Sequence, residues 1–141
     1  MTDVHTKIIR SYNMSKIKGK DTQPEILVRK FLHKNGYRYR IHVKDLPGKP
    51  DIVLPRYKTV VFVQGCFWHG HEGCKYYVVP KTRTDWWLKK INETIVNDKT
   101  NQQSLVSTGW RVIEIWECEL RKTLVENTLN RLLKAFLTKK Q

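Results

Sequence analysis

Between Pro50 and Cys74 the chain reads PDIVLPRYKTVVFVQGCFWHGHEGC, and no other stretch restricts the fold as strongly. Asp51-Ile52-Val53-Leu54 and Thr59-Val60-Val61-Phe62-Val63 are short β-branched runs joined by Pro55-Arg56-Tyr57-Lys58, the pattern of a hairpin. Neither run alternates apolar with polar residues. Both faces therefore need cover, and the strands belong in the centre of a layered sheet, not at a solvated edge. The second run leads directly into a loop carrying Cys66, His69, His71 and Cys74, with Phe67 and Trp68 between them. A strand pair that ends in such a loop fits a working site better than a packing element.

The flanking sequence supplies the cover. Thr22-Gln23-Pro24-Glu25 has the S/T-x-x-E form of a capping box with proline in the first turn, and Ile26, Leu27, Phe31 and Leu32 follow at helical spacing. A helix starts here and ends near Asn35-Gly36. Tyr37 to Val43 alternates aromatic or apolar residues with Arg38, Arg40 and His42, which predicts a half-buried strand, and Leu46-Pro47-Gly48-Lys49-Pro50 is a tight loop. Thr84 or Asp85 caps a second helix that bears Trp87, Leu88, Ile91, Ile95 and Val96 and runs to Leu105 or Val106. Trp110 to Glu117 reads as a largely buried strand. From Glu119, the spacing of Leu120, Leu124, Leu129, Leu132, Leu133 and Phe136 gives a terminal amphipathic helix. The order is α-β-β-β-α-β-α, an α/β fold (α+β-like) with a mixed central sheet flanked by helices. At 141 residues, one domain over residues 21–141 is expected, preceded by a basic arm over residues 1–20 that contains Lys7, Arg10, Lys16, Lys18 and Lys20.

Lysine and arginine number 27 against 13 acids, giving a formal charge of +14, so the field attracts polyanions and nucleic acid is the first partner to expect. No apolar run reaches membrane-spanning length and the N-terminus lacks a signal-peptide pattern, which excludes a membrane role and predicts a cytoplasmic protein. Three cysteines are an odd number for a disulfide framework, and clustered with histidine in a reducing compartment they point to metal.

Cys66, His71 and Cys74 fall within one short loop, and Cys118 ends the last strand, where it can meet them. Three thiolates and one imidazole close a tetrahedral shell, the usual structural zinc arrangement, whereas catalytic zinc keeps a position open for water. His69 is the alternative ligand; choosing His71 leaves His69 free for chemistry beside Asp51. Asp is depleted in strands, so Asp51 either closes an Asx-turn after Gly48-Lys49-Pro50 or ligates a hard cation such as Mg²⁺.

The segments Lys44-Asp45-Leu46-Pro47-Gly48-Lys49-Pro50-Asp51, Gly65-Cys66-Phe67-Trp68-His69-Gly70-His71, and Gly109-Trp110-Arg111-Val112 through Trp116-Glu117-Cys118 resemble the very-short-patch mismatch-repair endonucleases, the Vsr family, over about Met14 to Arg121. The resemblance implies the restriction-endonuclease-like PD-(D/E)xK core, α-β-β-β-α-β, with a structural zinc loop. It also implies a Mg²⁺-dependent nick in double-stranded DNA, 5′ to the thymine of a T:G mismatch left by 5-methylcytosine deamination. Residue by residue, it makes Asp51 the magnesium carboxylate, His69 the general base, and Cys66, His71, Cys74 and Cys118 the zinc shell. Phe67, Trp68 and Trp87 match the aromatics that wedge into the duplex. Glu25 and Asp98 match acids near the active site, although the capping box explains Glu25 without catalysis. The general nuclease motif has a second acid and a lysine where this chain has Val63-Gln64-Gly65, so the backbone carbonyl of Val63 takes over as a magnesium ligand. Lys16, Lys18 and Lys20 are expected on DNA phosphates. Other mismatch-repair proteins are possible partners, and nicking one strand suits a nucleoid-associated monomer. Two rival readings stand beside this one: a restriction-type nuclease with another duplex target, and a zinc-stabilised DNA-binding module that no longer cleaves.

Overall fold

The computed structural model describes residues 22–137; the basic arm, with Lys16, Lys18 and Lys20, lies outside them. The first helix, α1 (Gln23–Lys34), starts on the expected capping box. The Thr22 N–H donates to Glu25 Oε2 at 2.8 Å, the Glu25 N–H donates to Thr22 Oγ1 at 3.4 Å, and the helix closes at Asn35. Strands β1 (Ile52–Leu54) and β2 (Thr59–Gln64) form the expected antiparallel hairpin, turned by a short 3₁₀ segment at Pro55–Tyr57 and by Lys58 in the left-handed conformation. Next comes α2 (Thr84–Ser107), which crosses over to β3 (Arg111–Trp116), parallel to β2. A 3₁₀ turn at Glu117–Leu120 then leads to α3 (Val125–Leu137).

The mixed sheet among the described residues has the order β1-β2-β3. Period-two alternation divides its side chains between two layers. Ile52, Leu54, Val61 and Ile115 pack with Val28 and Leu32 of α1 and with Leu132 and Phe136 of α3. Val53, Val60 and Phe62 face the other way, against Leu105 of α2.

Several sequence expectations need correction. Tyr37 to Val43 does not form a strand. Its one ladder contact among the described residues is the bridge between Arg40 and Val53, with N–H···O distances of 2.7 and 2.9 Å. His42 at φ 58° turns the backbone out of the pleat. Tyr37 nevertheless packs 4.9 Å from the Phe136 ring, so the alternation marked burial and not a ladder. The order observed is therefore α-β-β-α-β-α. Among the described residues β2 alone has a full strand on each side, β1 lies at one end of the order, and β3, at the other end, is half-buried with Ile115 its one buried residue. Neither Thr84 nor Asp85 caps α2. Arg83, at φ 55°, holds the cap position without a side-chain bond, and Thr84 Oγ1 instead donates back to the carbonyls of Pro80 and Lys81. The last helix starts at Val125 and not Glu119, because Glu119 is tied into the preceding turn: its Oε1 accepts from the Trp116 N–H and its carbonyl from Thr128 Oγ1.

Candidate active site and metal cluster

Antiparallel pairing puts the start of β1 beside the end of β2, and parallel pairing ends β3 at the same level, with Gln64 opposite Trp116. Functional side chains gather at this end of the sheet. Asp51 precedes β1, and its Oδ2 accepts the Val63 N–H at 2.7 Å, so the carboxylate extends the pairing to β2 just ahead of the first residue of β1. Glu25, only 2 % exposed, reaches the same point from α1. It is both the capping-box acid and a lining residue of the cavity that holds Asp51, so the two readings of Glu25 coexist.

That cavity, of about 730 Å³, brings together Glu25, Asp51, Val63, Gln64, His69 and Asp98. His69 comes from the loop after β2 and Asp98 from the middle of α2; Nδ1 and Oδ2 lie 2.7 Å apart. Gly70 allows this approach. It sits at φ +60°, which strains a side chain, and a Cβ there would fall 2.7 Å from Ile95 Cδ1, so glycine lets the loop rest on α2 one turn before Asp98 without displacing Ile95. Burial, then a hydrogen bond shared with Glu25, push the Asp51 carboxyl up to about 8, while the Val63 N–H and the Arg29 cation pull it down less strongly. Asp51 buried beside a second acid is costly to ionise unless a cation offsets its charge. Buried oxygen donors without enough positive charge suit a hard divalent ion.

Beside this cavity, Cys66, His71, Cys74 and Cys118 place one ligand atom each within 4.8 Å of one another. Cys66 is 1 % exposed and accepts the Cys118 N–H at 3.4 Å, and Cys74 accepts the Tyr76 N–H at 3.4 Å. Burial, then the crowding of Cys66 and Cys74, push the Cys118 thiol up to about 12, and burial raises Cys66 as well. Cys74 moves down: burial opposes this, but the Tyr76 N–H and the neighbouring thiols outweigh it. A soft cation would discharge the crowding as the thiols ionise. The two histidines are sorted by these contacts: His71 Nδ1 lies 3.4 Å from Cys118 Sγ, while His69 faces Asp98.

Phe67, Trp68 and Trp87 form a half-buried cluster with centroids 5.1 to 5.8 Å apart. It lies outside both core clusters and next to the cavity, which Trp68 also lines. Sequence reasoning gave no place in the site to four residues. Trp86, 46 % exposed, extends the aromatic cluster edge-on to Trp87. Trp116 stacks on the His71 ring at 4.0 Å, and Gln64 and Glu117 line the cavity. For the last three there was a signal, since Gln64 lies where the general nuclease motif has its second acid and lysine and Trp116-Glu117 belongs to a segment that carries the resemblance, but it gave none of them a role.

The family model described as DNA mismatch endonuclease Vsr matches residues 2–75. The chain is 50 % identical over 135 residues to the type II nicking enzyme V.NmeAIP of Neisseria meningitidis, covering 95 % of this chain and 96 % of that one. It is 48 % identical to the type II nicking enzyme V.XorIIP of Xanthomonas oryzae, covering 85 % and 88 %. To the DNA mismatch endonuclease Vsr of Escherichia coli it is 43 % identical, covering 86 % and 77 %. These similarities put the chain among the DNA endonucleases that cut a single strand. It belongs to the Vsr DNA mismatch endonuclease family.

Proposed function

We propose that this protein nicks one strand of duplex DNA by metal-dependent phosphodiester hydrolysis, 5′ to the thymine of a T:G mismatch. The observation that carries the reading is the His69–Asp98 pair, 2.7 Å apart, in one cavity with the Glu25–Asp51 acid pair. Asp98 accepts from Nδ1–H, which leaves the lone pair of neutral His69 on Nε2, free to take a proton from water. Asp51 and the backbone carbonyl of Val63 would hold Mg²⁺, which supplies Lewis-acid polarisation of the phosphate when bound. Glu25 adds negative charge that favours the ion. Cys66, His71, Cys74 and Cys118 would hold Zn²⁺ in a closed structural shell, which suits a set of four protein ligands with no position left for water.

Phe67, Trp68 and Trp87 would wedge into the duplex, and a wobble pair costs less to unstack than a Watson–Crick pair. Lys16, Lys18 and Lys20 of the arm would contact phosphates, and the +14 charge supports such binding. The protein would act as a monomer in the cytoplasm on nucleoid DNA. No helix among the described residues is long and apolar enough to cross a membrane.

A second reading, nicking at another duplex target, is favoured by the nicking-enzyme names of the relatives at 50 % and 48 % identity. Purified protein incubated with T:G, matched and methylated duplexes, with and without Mg²⁺, separates the two. Magnesium-dependent nicking confined to T:G duplex supports the first. Equal nicking of matched duplex removes it.

A further inference from the structure

We propose that Gln64 is a further catalytic residue, whose side-chain carbonyl accepts a hydrogen bond from the water that attacks the phosphodiester. The inference rests on the hydrolytic reading above. Gln64 ends β2 and is 3 % exposed, yet its Oε1 is buried and accepts no hydrogen bond from any described residue. A buried amide oxygen without a partner destabilises a fold, and an apolar side chain of similar size would remove that cost. Retaining glutamine at such a point makes sense when the missing partner arrives with the substrate.

The chemistry of the cavity identifies that partner. Gln64 lines the same space as Asp51, His69 and Asp98. One oxygen of each acid already accepts a backbone hydrogen bond, Asp51 Oδ2 from the Val63 N–H and Glu25 Oε2 from the Thr22 N–H, whereas Gln64 Oε1 has none among the described residues. A phosphodiester carries no hydrogen to donate. Water does, and hydrolysis requires one in this cavity. Held by two hydrogen bonds, one to His69 Nε2 and one to Gln64 Oε1, the water keeps a lone pair for phosphorus. As its O–P bond forms, one water proton passes to His69 Nε2. The ester P–O bond breaks, and the leaving oxygen takes a proton from solvent.

The test compares full-length wild type, Gln64→Leu and Gln64→Glu in single-turnover nicking of T:G duplex at saturating Mg²⁺. Duplex affinity, the Mg²⁺ midpoint and the melting temperature are measured alongside. The glutamate variant keeps the acceptor oxygen and loses the amide donor. Gln64→Leu is expected to nick about 10- to 100-fold more slowly, bind duplex within about twofold, keep the Mg²⁺ midpoint and melt above wild type. Gln64→Glu is expected to lose less. The inference is overturned by Gln64→Leu nicking at the wild-type rate, or melting below wild type, which marks a structural role. A shifted Mg²⁺ midpoint makes the oxygen an ion ligand instead, and equal losses in both variants make the amide a donor; either overturns the inference. Wild-type protein that nicks none of the duplexes removes the hydrolytic reading itself, and this inference with it.

Discussion

The thiol–imidazole cluster and the acid cavity lie at the same end of the sheet, and each forces like groups together, but they are built in different ways. Three of the four groups in the cluster come from one loop, and all four ligand atoms fit within 4.8 Å. The cavity draws Glu25 from α1, Asp51 from before β1, His69 from the loop and Asp98 from α2, and leaves about 730 Å³ between them. In both, burial first and then the crowding of like groups raises an acid, Cys118 to about 12 and Asp51 to about 8, in opposition to the ionised state a metal needs. The closed set has room only for an ion. The open set has room for an ion, a phosphate and water. On the proposed reading, enclosure separates a group that holds the fold from one that performs a reaction.

The largest effect should come from the closed set. Cys118→Ser is expected to lose bound zinc and cooperative folding together, because structural zinc supplies roughly 10 kcal/mol or more of folding free energy in small domains. Elemental analysis with a thermal melt checks this, and a folded zinc-free variant breaks the comparison. Asp51→Asn should next abolish nicking while zinc content and duplex binding stay normal, since an amide of the same shape lacks the charge that magnesium requires. His69→Ala should slow nicking by about 10²- to 10⁴-fold with unchanged zinc. If it keeps the rate and loses the zinc, the histidine roles are reversed.

The smallest effect is on stability without added magnesium. Asp51 titrates near 8 in the folded protein against an ordinary 3.8, so across that window the fold retains a proton that the unfolded chain has released. Wild-type stability should fall as pH rises from about 4 to about 8, and magnesium should offset the loss. Asp51→Asn should remove that contribution, a difference readable as the melting temperature of the two proteins against pH.

The sequence disclosed these regions unequally. Cys66, His71 and Cys74 declared themselves because two thiols and an imidazole on one short polar loop gain little from burial and much from a shared cation. The capping box at Thr22–Glu25 was legible for a similarly local reason. The hairpin followed from β-branched runs four residues apart. Meetings across elements were harder to read: the meeting of Cys118 with the loop was expected from the residues, but Asp98 was put near the site only by family resemblance, and nothing local in α2 says that it faces His69. Tyr37 to Val43 misled because alternation reports which side chains are covered, and a chain can bury Tyr37 and Tyr39 while pairing at only one residue. Gln64 was noticed as a departure from the nuclease motif but given no role, because an inward amide at a strand end has the same sequence appearance as an outward one.

Cys118 follows β3, whereas its three companions follow β2, and it donates its N–H across 52 positions to Cys66. The order of events in folding follows from that separation. The three early groups can gather on their own loop, but the fourth arrives only when the crossover through α2 has closed and β3 has found its parallel register, the slowest kind of strand pairing. On the proposed reading, metal capture by all four groups would come after β3 docks and would act as a latch on it. Chelation should speed unfolding more than it slows the earlier steps of refolding.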